Sequence, residues 1–349
     1  MQLLCVGDVA IIHNMAPWLP LDGVVFGDDI RIIINCELPF SRSFNPISRK
    51  SGPRILSHPD SFNVIAKWAP GFATLATNHI LDGGVDGLVE TLCALDGIGF
   101  QTIGAGLSKE EIVRPIFWDT KEGRLAIVNW VFPETNPEWK TIPGPNYWPG
   151  IKEAKTIIQS LKREANWVMI QAHWSDELFP YPRPEDRALA WELAEAGADI
   201  LIGHHPHVVR GMEVIGNCHV FYSLVNFYFS SFIDADTGIT ERQSLRNLES
   251  LGVLISFTQG EQPDIRLISF WQKNTKVVRD FFDRAVRRLN SVSRPLYEMR
   301  NSSYEKWYLF RRFYFDRIEY RWHFRLWQLG VTGIVKTVIR NIAKFFHRI

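Results

Sequence analysis

The chain has 349 residues, 46% of them hydrophobic, and its 39 Lys and Arg nearly balance its 38 Asp and Glu. This length and apolar content suffice for one large core or two ordinary ones, and they exclude a disordered chain. The charge is unevenly placed: residues 273–349 carry 18 Lys and Arg against 6 Asp and Glu, whereas residues 1–272 carry 21 against 32. We therefore predict an acidic domain over 1–271 and a basic extension over 272–349.

The cysteines and the first residues favour the cytoplasm. Four widely separated cysteines, without a CxxC pair, are typical of buried thiols in a reducing compartment. Residues 2–8 form an apolar, strand-like run that leaves no room for a secretory signal. No run of about 18 uncharged apolar residues is present, so a spanning helix is not expected. We expect the chain as given to lie on the cytoplasmic side of the membrane.

Residues 1–271 alternate between strand and helix patterns. Apolar runs predict strands over 2–8, 31–36, 72–77, 100–103, 124–131, 167–172, 199–203, 219–224, 252–257 and 265–271. Helical spacing predicts helices over 85–96, 151–166 and 185–196, and Pro184 suits the first turn of the third. Gly216-Asn217 is a two-residue hairpin signal. The predicted fold is α/β, with a mixed sheet or two stacked sheets.

The basic extension allows two interpretations. A basic amphipathic helix is predicted over 277–289, arginines alternate with aromatic residues over 304–329, and Lys and Arg recur with fewer rings over 334–349. Such segments suit an anionic membrane surface, where rings lie at headgroup depth. They equally suit a helical extension whose aromatic face packs on the rest of the chain or on a partner subunit. Nucleic acid is a weaker third candidate, because no reader motif is present and the remaining chain is acidic.

Side chains of the types that commonly bind metal ions follow the ends of the predicted strands. They are Asp8, Glu37, Asn78, His79, His173 and His205. Functional groups collect beyond the carboxyl ends of strands in open α/β sheets, so we expect one cleft to receive them. Pro206 stiffens the loop between His205 and His207, which lets both imidazoles point at one ion. The residues therefore predict a metal site.

Each residue taken alone has a simpler explanation. Asp8 is equally suited to capping a turn, and Asn78 to a left-handed turn position. His173 by itself is typical of a hydrogen-bonded core histidine. We assign His204 a structural role, because adjacent side chains point in different directions. Glu177 could act directly in the site or orient a metal-binding histidine through a hydrogen bond.

The order and spacing of these motifs resemble the CapA capsule-synthesis family, also called poly-gamma-glutamate biosynthesis proteins. The resemblance covers about residues 1–260 and rests on Gly7-Asp8-Val9, Asn35-Cys36-Glu37-Leu38-Pro39, Thr77-Asn78-His79 with Asp82, His173-Trp174 with Glu177, Gly203 to His207, and Tyr222-Ser223-Leu224-Val225-Asn226-Phe227. It implies a metallophosphatase-like four-layer sandwich, in which two mixed β-sheets are flanked by helices, with one or two metal ions at the loop edge.

The resemblance also implies roles for individual residues. The metal ligands would be Asp8, Glu37, Asn78, His173, His205 and His207. His79 would face the leaving group of a substrate, steadied by Asp82, and Glu177 matches a further glutamate of the family. The mixed oxygen and nitrogen ligands suit Mn, Fe or Zn.

Four positions depart from the expected pattern. Ala10 stands where metallophosphatases have the histidine of Asp-x-His, which weakens one metal position. Ser175 and Val225 replace glycines, and Cys36 replaces an aliphatic residue. These changes leave the predicted ligands in place and bear on how a substrate fits.

Two functions follow as expectations. The first is a metal-dependent hydrolase of a phosphoester or amide bond, acting on an anionic polymer or a related substrate in capsule or cell-surface polymer biosynthesis. The second is a non-catalytic component of a synthesis complex that binds polymer or partner enzymes. In either case residues 273–349 would meet an anionic membrane surface at the inner face of the membrane, a capsule-synthesis partner, or the rest of the chain.

Overall fold

The computed structural model describes residues 1–12, 30–41, 52–137, 140–233, 240–241, 243–274 and 276–320. The strands in these ranges are β1 (Gln2–Ala10), β2 (Ile30–Cys36), β3 (Gly71–Thr74), β4 (Phe100–Ile103), β5 (Ala105–Gly106), β6 (Ile116–Thr120), β7 (Gly123–Val131), β8 (Gly144–Pro145), β9 (Trp167–His173), β10 (Ile200–His204), β11 (Met212–Ile215), β12 (Cys218–Phe221), β13 (Asn226–Phe229), β14 (Phe232–Ile233), β15 (Thr240–Glu241), β16 (Glu249–Ser256), β17 (Asp264–Lys273) and β18 (Lys276–Arg279).

The α-helices in the same ranges are α1 (Phe62–Ile65), α2 (Gly84–Gly97), α3 (Lys109–Val113), α4 (Ile151–Glu164), α5 (Pro184–Glu195), α6 (Arg284–Glu298) and α7 (Asn301–Tyr314). A π-helical turn, Phe315–Glu319, follows α7 directly. Among these described helices, none is both long and apolar enough to cross a membrane.

Two mixed sheets organise the chain. The first has the order β18-β17-β16-β1-β2-β3-β4, and β13 pairs with the second half of β1. Its strands β1 to β4 are parallel, whereas β16 to β18 are antiparallel. The second has the order β11-β12-β10-β9-β7-β6, with a parallel centre and antiparallel strands at both edges.

The two sheets face each other across a continuous core. Side chains from both of them form one cluster, which includes Leu3, Cys5, Ile127, Met169 and Ile202. Aromatic pairs bridge the sheets: the ring centroids of Phe72 and Trp118 are 5.7 Å apart, and those of Trp167 and Phe257 are 5.1 Å apart. Burial of this apolar surface is the main force that holds sheet on sheet.

Helices cover the outer face of each sheet. Leu88 and Leu95 of α2 join the core on the first sheet, and Ile158 of α4 and Leu193 of α5 join the core on the second. The result is the predicted four-layer arrangement of two mixed sheets flanked by helices. The three predicted helices and the hairpin at Gly216-Asn217 are confirmed within a few residues.

The C-terminal extension starts differently from the prediction. The residues predicted to begin a helix at 277 instead form β18, because Val277 is buried where this strand pairs with β17. The expected domain boundary at 271 and 272 lies inside β17, and the helix α6 begins only at Arg284. Residues 321–349, including the predicted segment 334–349, lie outside the described residues.

The helices of the extension pack on the first 271 residues. Leu289 of α6 belongs to the core between the sheets, and Tyr304, Tyr308 and Phe315 belong to the core outside the second sheet. The described part of the extension therefore shares its hydrophobic clusters with the sandwich.

Candidate metal centre

The predicted site residues meet where strands of both sheets end. Asp8 lies on β1 opposite Asn35 and Asn226, and Glu37 directly follows β2. His173 is the last residue of β9, and His205 follows β10. The parallel strands thus deliver carboxylates from one sheet and imidazoles from the other to a common edge.

The ligand atoms lie close enough to share a small ion. Those of Glu37, His205 and His207 are all within 4.8 Å of one another. His173 Nε2 is 3.6 Å from Glu37 Oε1, and His207 Nδ1 is 3.1 Å from Asp8 Oδ2. The structure therefore brings these five predicted ligands into one cluster, buried except for the half-buried His207.

Asn78, the sixth predicted ligand, contacts the same cluster. Its Oδ1 lies 2.9 Å from His173 Nε2. Asn78 is followed by His79, so the turn after β3 brings an amide oxygen and a second imidazole to the centre. All six predicted ligands are therefore neighbours in space, although they span two hundred residues of sequence.

Asn35 is a site residue that the sequence interpretation missed. Its Nδ2 donates to Asp8 Oδ1 over 2.8 Å and to Glu37 Oε2 over 2.7 Å. Its own Oδ1 accepts from Thr74 Oγ1 over 2.9 Å, which fixes the orientation of the amide. One amide thus holds two buried carboxylates side by side. The sequence feature that could have indicated this role is an amide side chain near the end of an otherwise apolar strand.

His204 has the structural position that we predicted. Its Nε2 is 2.8 Å from Gln171 Oε1, and its Nδ1 is 3.2 Å from Asp8 Oδ1. Asn226 was also missed: its Oδ1 lies 2.8 Å from His207 Nδ1. These neighbours orient Asp8 and the imidazole of His207 from behind the centre, as outer partners of ligand groups commonly do.

His79 and Asp82 form the predicted pair. The Nδ1 of His79 lies 2.6 Å from Asp82 Oδ2, which also accepts from the backbone N–H of Ile55 over 2.8 Å. With an aspartate at Nδ1, the proton of a neutral imidazole is held there and the other ring nitrogen is left for chemistry. Both side chains are buried.

Glu177 lies at the rim of the centre. Its side chain is 55% exposed, and its Oε1 is 3.8 Å from His205 Nε2. The loop that carries it is fixed by Arg210, which donates to the backbone oxygen of Asp176 and, over 2.9 Å, to that of Phe179. Glu177 is therefore the predicted site residue most accessible to solvent.

The hydrogen bonds of Ser175 account for a serine at a position where glycine was expected. Its φ is 72°, in the left-handed region where glycine is usual. Its hydroxyl contacts the buried Asp186 and Arg210. These hydrogen bonds offset the conformational strain of a side chain at this position.

Further left-handed residues border the centre. The φ angles of His205, His207 and Val225 are 90°, 55° and 64°. The carbonyl of Val225 accepts from the backbone N–H of Asp8 over 3.0 Å, and a Cβ on Gly7 would come within 1.7 Å of that oxygen. Such strained backbone persists only where its surroundings enforce it, and it concentrates at functional sites.

Ala10 and Cys36 give the cluster no further ligands. Ala10 is buried in a small apolar cluster with Leu38, Ile55 and Phe229. Burial, assisted by the negative charge of Glu37, raises the pKa of the Cys36 thiol to about 12, so this thiol stays protonated. The site thus remains one of oxygen and nitrogen ligands.

Charges within the metal-free cluster are divided between an ion pair and neutral rings. Burial opposes the charged form of His207, but the carboxylate of Asp8 outweighs it and raises the pKa of His207 to about 10. Burial likewise works against the charged form of Asp8, yet His204 and His207 lower the pKa of that carboxyl. Burial lowers the pKa of His173 and of His205 well below the ordinary value.

The residues fit a divalent metal ion. His173 and His205 each have a buried Nδ1 without a hydrogen-bond partner. Buried polar atoms are normally paired, and an unpaired one lowers stability. Neutral imidazoles and carboxylates are the preferred ligands of Mn, Fe and Zn. The chemistry of the ligand set therefore agrees with a metal centre.

Fold and site together define an α/β protein of two mixed sheets with a histidine and carboxylate cluster at their edge. The family described as bacterial capsule synthesis protein PGA_cap matches residues 7–231, more than half of the chain, and the chain belongs to this family.

Two curated relatives come from Bacillus. The PGA biosynthesis protein CapA of Bacillus subtilis (strain 168) is 34% identical over 159 residues, which are 44% of this chain and 41% of the relative. The capsule biosynthesis protein CapA of Bacillus anthracis is 31% identical over 160 residues, 44% of this chain and 39% of the relative. The chain thus matches about two fifths of the length of either protein.

Two solved structures are more distant. A phosphatase from Mycoplasma pneumoniae has 12% identity and a TM-score of 0.48, with 78% of this chain and 94% of that chain covered. A putative 5′-nucleotidase from Staphylococcus aureus has 12% identity and a TM-score of 0.46, with 83% and 58% covered. Neither similarity bears on the activity of this protein.

Proposed function

We propose that this protein is a metal-dependent hydrolase that cleaves a phosphoester or amide bond in the biosynthesis of capsule or another cell-surface polymer. The observation that carries the proposal is the cluster of Glu37, His205 and His207, whose ligand atoms lie within 4.8 Å of one another. The names of the Bacillus relatives support the polymer class. The free cysteines support a cytoplasmic location.

The ligands in this proposal are the six residues predicted from the sequence. They are Asp8, Glu37, Asn78, His173, His205 and His207. The bound ion, Mn, Fe or Zn, would polarise the substrate oxygen and lower the pKa of a bound water to about 7. Asn35 holds the carboxylates of Asp8 and Glu37 together, so that the ligand set is arranged before the ion arrives.

Protonated on both ring nitrogens, His79 would transfer the proton of Nε2 to the leaving group and keep its Nδ1 proton in the hydrogen bond to Asp82. The hydrogen bond to Asp82 fixes its ring, and Ile55 fixes Asp82 in turn. A positioned general acid of this kind contributes about 10²- to 10⁴-fold in rate. Glu177, exposed beside His205, would orient the substrate or its attacking water at the rim.

The first experiment separates metal binding from catalysis. Metal content is measured by mass spectrometry on protein purified without added metal and after loading with Mn, Fe or Zn. Hydrolysis is followed with p-nitrophenyl phosphate and bis-p-nitrophenyl phosphate for esters, and with γ-glutamyl-p-nitroanilide for an amide. We expect the double variant His205→Ala and His207→Ala to lose both metal and hydrolysis.

The variant His79→Ala should keep its metal and lose about 10²- to 10⁴-fold in hydrolysis. His219→Ala is the matched control, because His219 pairs with the first residue of β10, at the end of the strand opposite the centre. Absence of metal after every loading would exclude the proposal. Bound metal without hydrolysis, together with full function of His79→Ala in cells, would favour the non-catalytic component of a synthesis complex.

A further inference from the structure

The helix α7 and the π-helical turn after it have an inner face that is docked on the sandwich. The ring centroids of Tyr308 and Phe315 lie 5.3 Å and 5.0 Å from that of Phe179. Arg312 Nη1 donates to Asp176 Oδ2 over 2.8 Å. Asp176 precedes Glu177, so this face of the helix contacts the loop that reaches the metal centre.

The opposite face of α7 carries exposed large hydrophobic side chains. Leu309, Phe310 and Phe313 are 62%, 67% and 61% exposed, and they lie between the exposed cations Lys306 and Arg317. The guanidinium of Arg317 lies 5.2 Å from the centre of the Phe313 ring. We call these five residues the outer stripe. Single exposed hydrophobic residues are normal, but a continuous set on one helix marks an interaction surface.

We propose that the outer stripe binds an anionic membrane surface. The spacing of its residues follows the helical repeat, so all of them present one side, as in helices that lie in the membrane interface. Aromatic and aliphatic side chains enter the headgroup boundary, while cations beside them meet lipid phosphates. The proposal does not depend on the proposed hydrolysis.

The charges favour a membrane surface over two other occupants, the segment that follows in the chain and a second copy of the stripe. Asp316 and Glu319 are already paired with Arg312 and Arg311. The 29 residues after the described part of the chain carry six Lys and Arg and no Asp or Glu. That segment therefore has no acid to pair with the cations of the outer stripe, and a second copy of the stripe would repeat the same cations. An anionic lipid surface complements both the stripe and the segment that follows it.

The test is co-sedimentation of the full chain with vesicles. Vesicles of phosphatidylcholine with phosphatidylglycerol are compared with vesicles of phosphatidylcholine alone, at rising salt. We expect binding to the anionic vesicles, weakening as salt rises. The triple variant Leu309→Ser, Phe310→Ser and Phe313→Ser should bind at least about tenfold more weakly. The double variant Lys306→Glu and Arg317→Glu should also bind more weakly.

The control removes exposed hydrophobic side chains elsewhere. Val113→Ser, Ile142→Ser and Val214→Ser change residues that are also exposed but belong to other surfaces, and this variant should bind like the unchanged protein. Circular dichroism and thermal unfolding verify that all variants fold. Equal binding by the outer-stripe variant and the unchanged protein would overturn the proposal. So would sedimentation velocity showing that the stripe mediates self-association instead.

Discussion

His207 Nδ1 and Asp8 Oδ2 lie 3.1 Å apart in the buried centre, an ion pair between the two sheets. The pairing raises the pKa of His207 to about 10 against the opposing effect of burial. A divalent ion needs the neutral imidazole, so metal and proton compete for this residue. The same contact therefore stabilises the metal-free fold, and a metal ion bound at His207 would have to displace its proton.

The first prediction concerns the pH dependence of the metal-free protein. Because the folded pKa of His207 lies above its unfolded value of about 6.5, the pair stabilises fully below about pH 6.5 and loses this contribution as pH rises towards 10. The lowered pKa of Asp8 also stabilises the folded state, but this contribution is lost as pH falls into the acid range and not as pH rises. Urea unfolding from pH 6.5 to 10 should show falling stability.

Replacing His207 with Asn should remove most of this alkaline slope. His219→Asn is the control, since burial lowers the pKa of His219 instead of raising it. An unchanged slope in His207→Asn would show that other groups cause it. Loading the unchanged protein with Zn or Mn near neutral pH should release a proton, measurable by calorimetry in buffers of different ionisation enthalpy.

The second prediction concerns Asn35. Asn35→Ala leaves the carboxylates of Asp8 and Glu37 close together without their shared donor, so the metal-free protein should lose at least about 2 kcal/mol of stability. Added metal should restore most of that loss by neutralising the carboxylates. Asn146→Ala removes a 3.0 Å hydrogen bond to the backbone oxygen of Asn129 and serves as the control. The stability lost in Asn146→Ala should not be restored by metal. Equal restoration of stability in both variants would contradict the role of Asn35.

The third prediction concerns the left-handed backbone at Ser175. Both Ser175→Ala and Ser175→Gly remove the hydroxyl that contacts Asp186 and Arg210. Alanine retains the strain of a φ of 72°, so it should be about 1 kcal/mol less stable than glycine in urea unfolding. At Ser250, which is buried in β16 and has no positive φ, the order of the two variants should be reversed. If glycine were more stable than alanine at both sites, backbone strain at Ser175 would not be the cause.

The fourth prediction tests whether the extension belongs to the cooperative fold. Phe315 is 2% exposed in the core outside the second sheet, whereas Phe313, two residues before it, is 61% exposed. Phe315→Ala should destabilise the whole protein by about 3–5 kcal/mol, and Phe313→Ala by less than about 0.5 kcal/mol. Both are measured by denaturant unfolding of the full chain. Similar small effects would mean that α7 unfolds independently of the sandwich.

The sequence patterns predicted an α/β fold and a cluster of polar residues at one edge, and the resemblance to the capsule-synthesis family implied the two sheets. The fold class and the cluster depend on short-range patterns: alternating strand and helix periodicity, and polar residues directly after apolar strands such as Glu37 after β2 and His205 after β10. Parallel strands necessarily bring such residues to one edge. The pairing of His79 with Asp82 was implied by the family resemblance, and the two residues are only three positions apart.

Only the tertiary structure decided the roles of Asn35 and the faces of the extension. Asn35 acts through Asp8, which is 27 residues away and becomes its neighbour through strand pairing. In α7 and the π-helical turn after it, hydrophobic residues lie on both sides, so periodicity does not reveal which side is buried. Packing against Phe179 placed Phe315 inside and left Phe313 exposed, because burial is decided by the surface a helix meets.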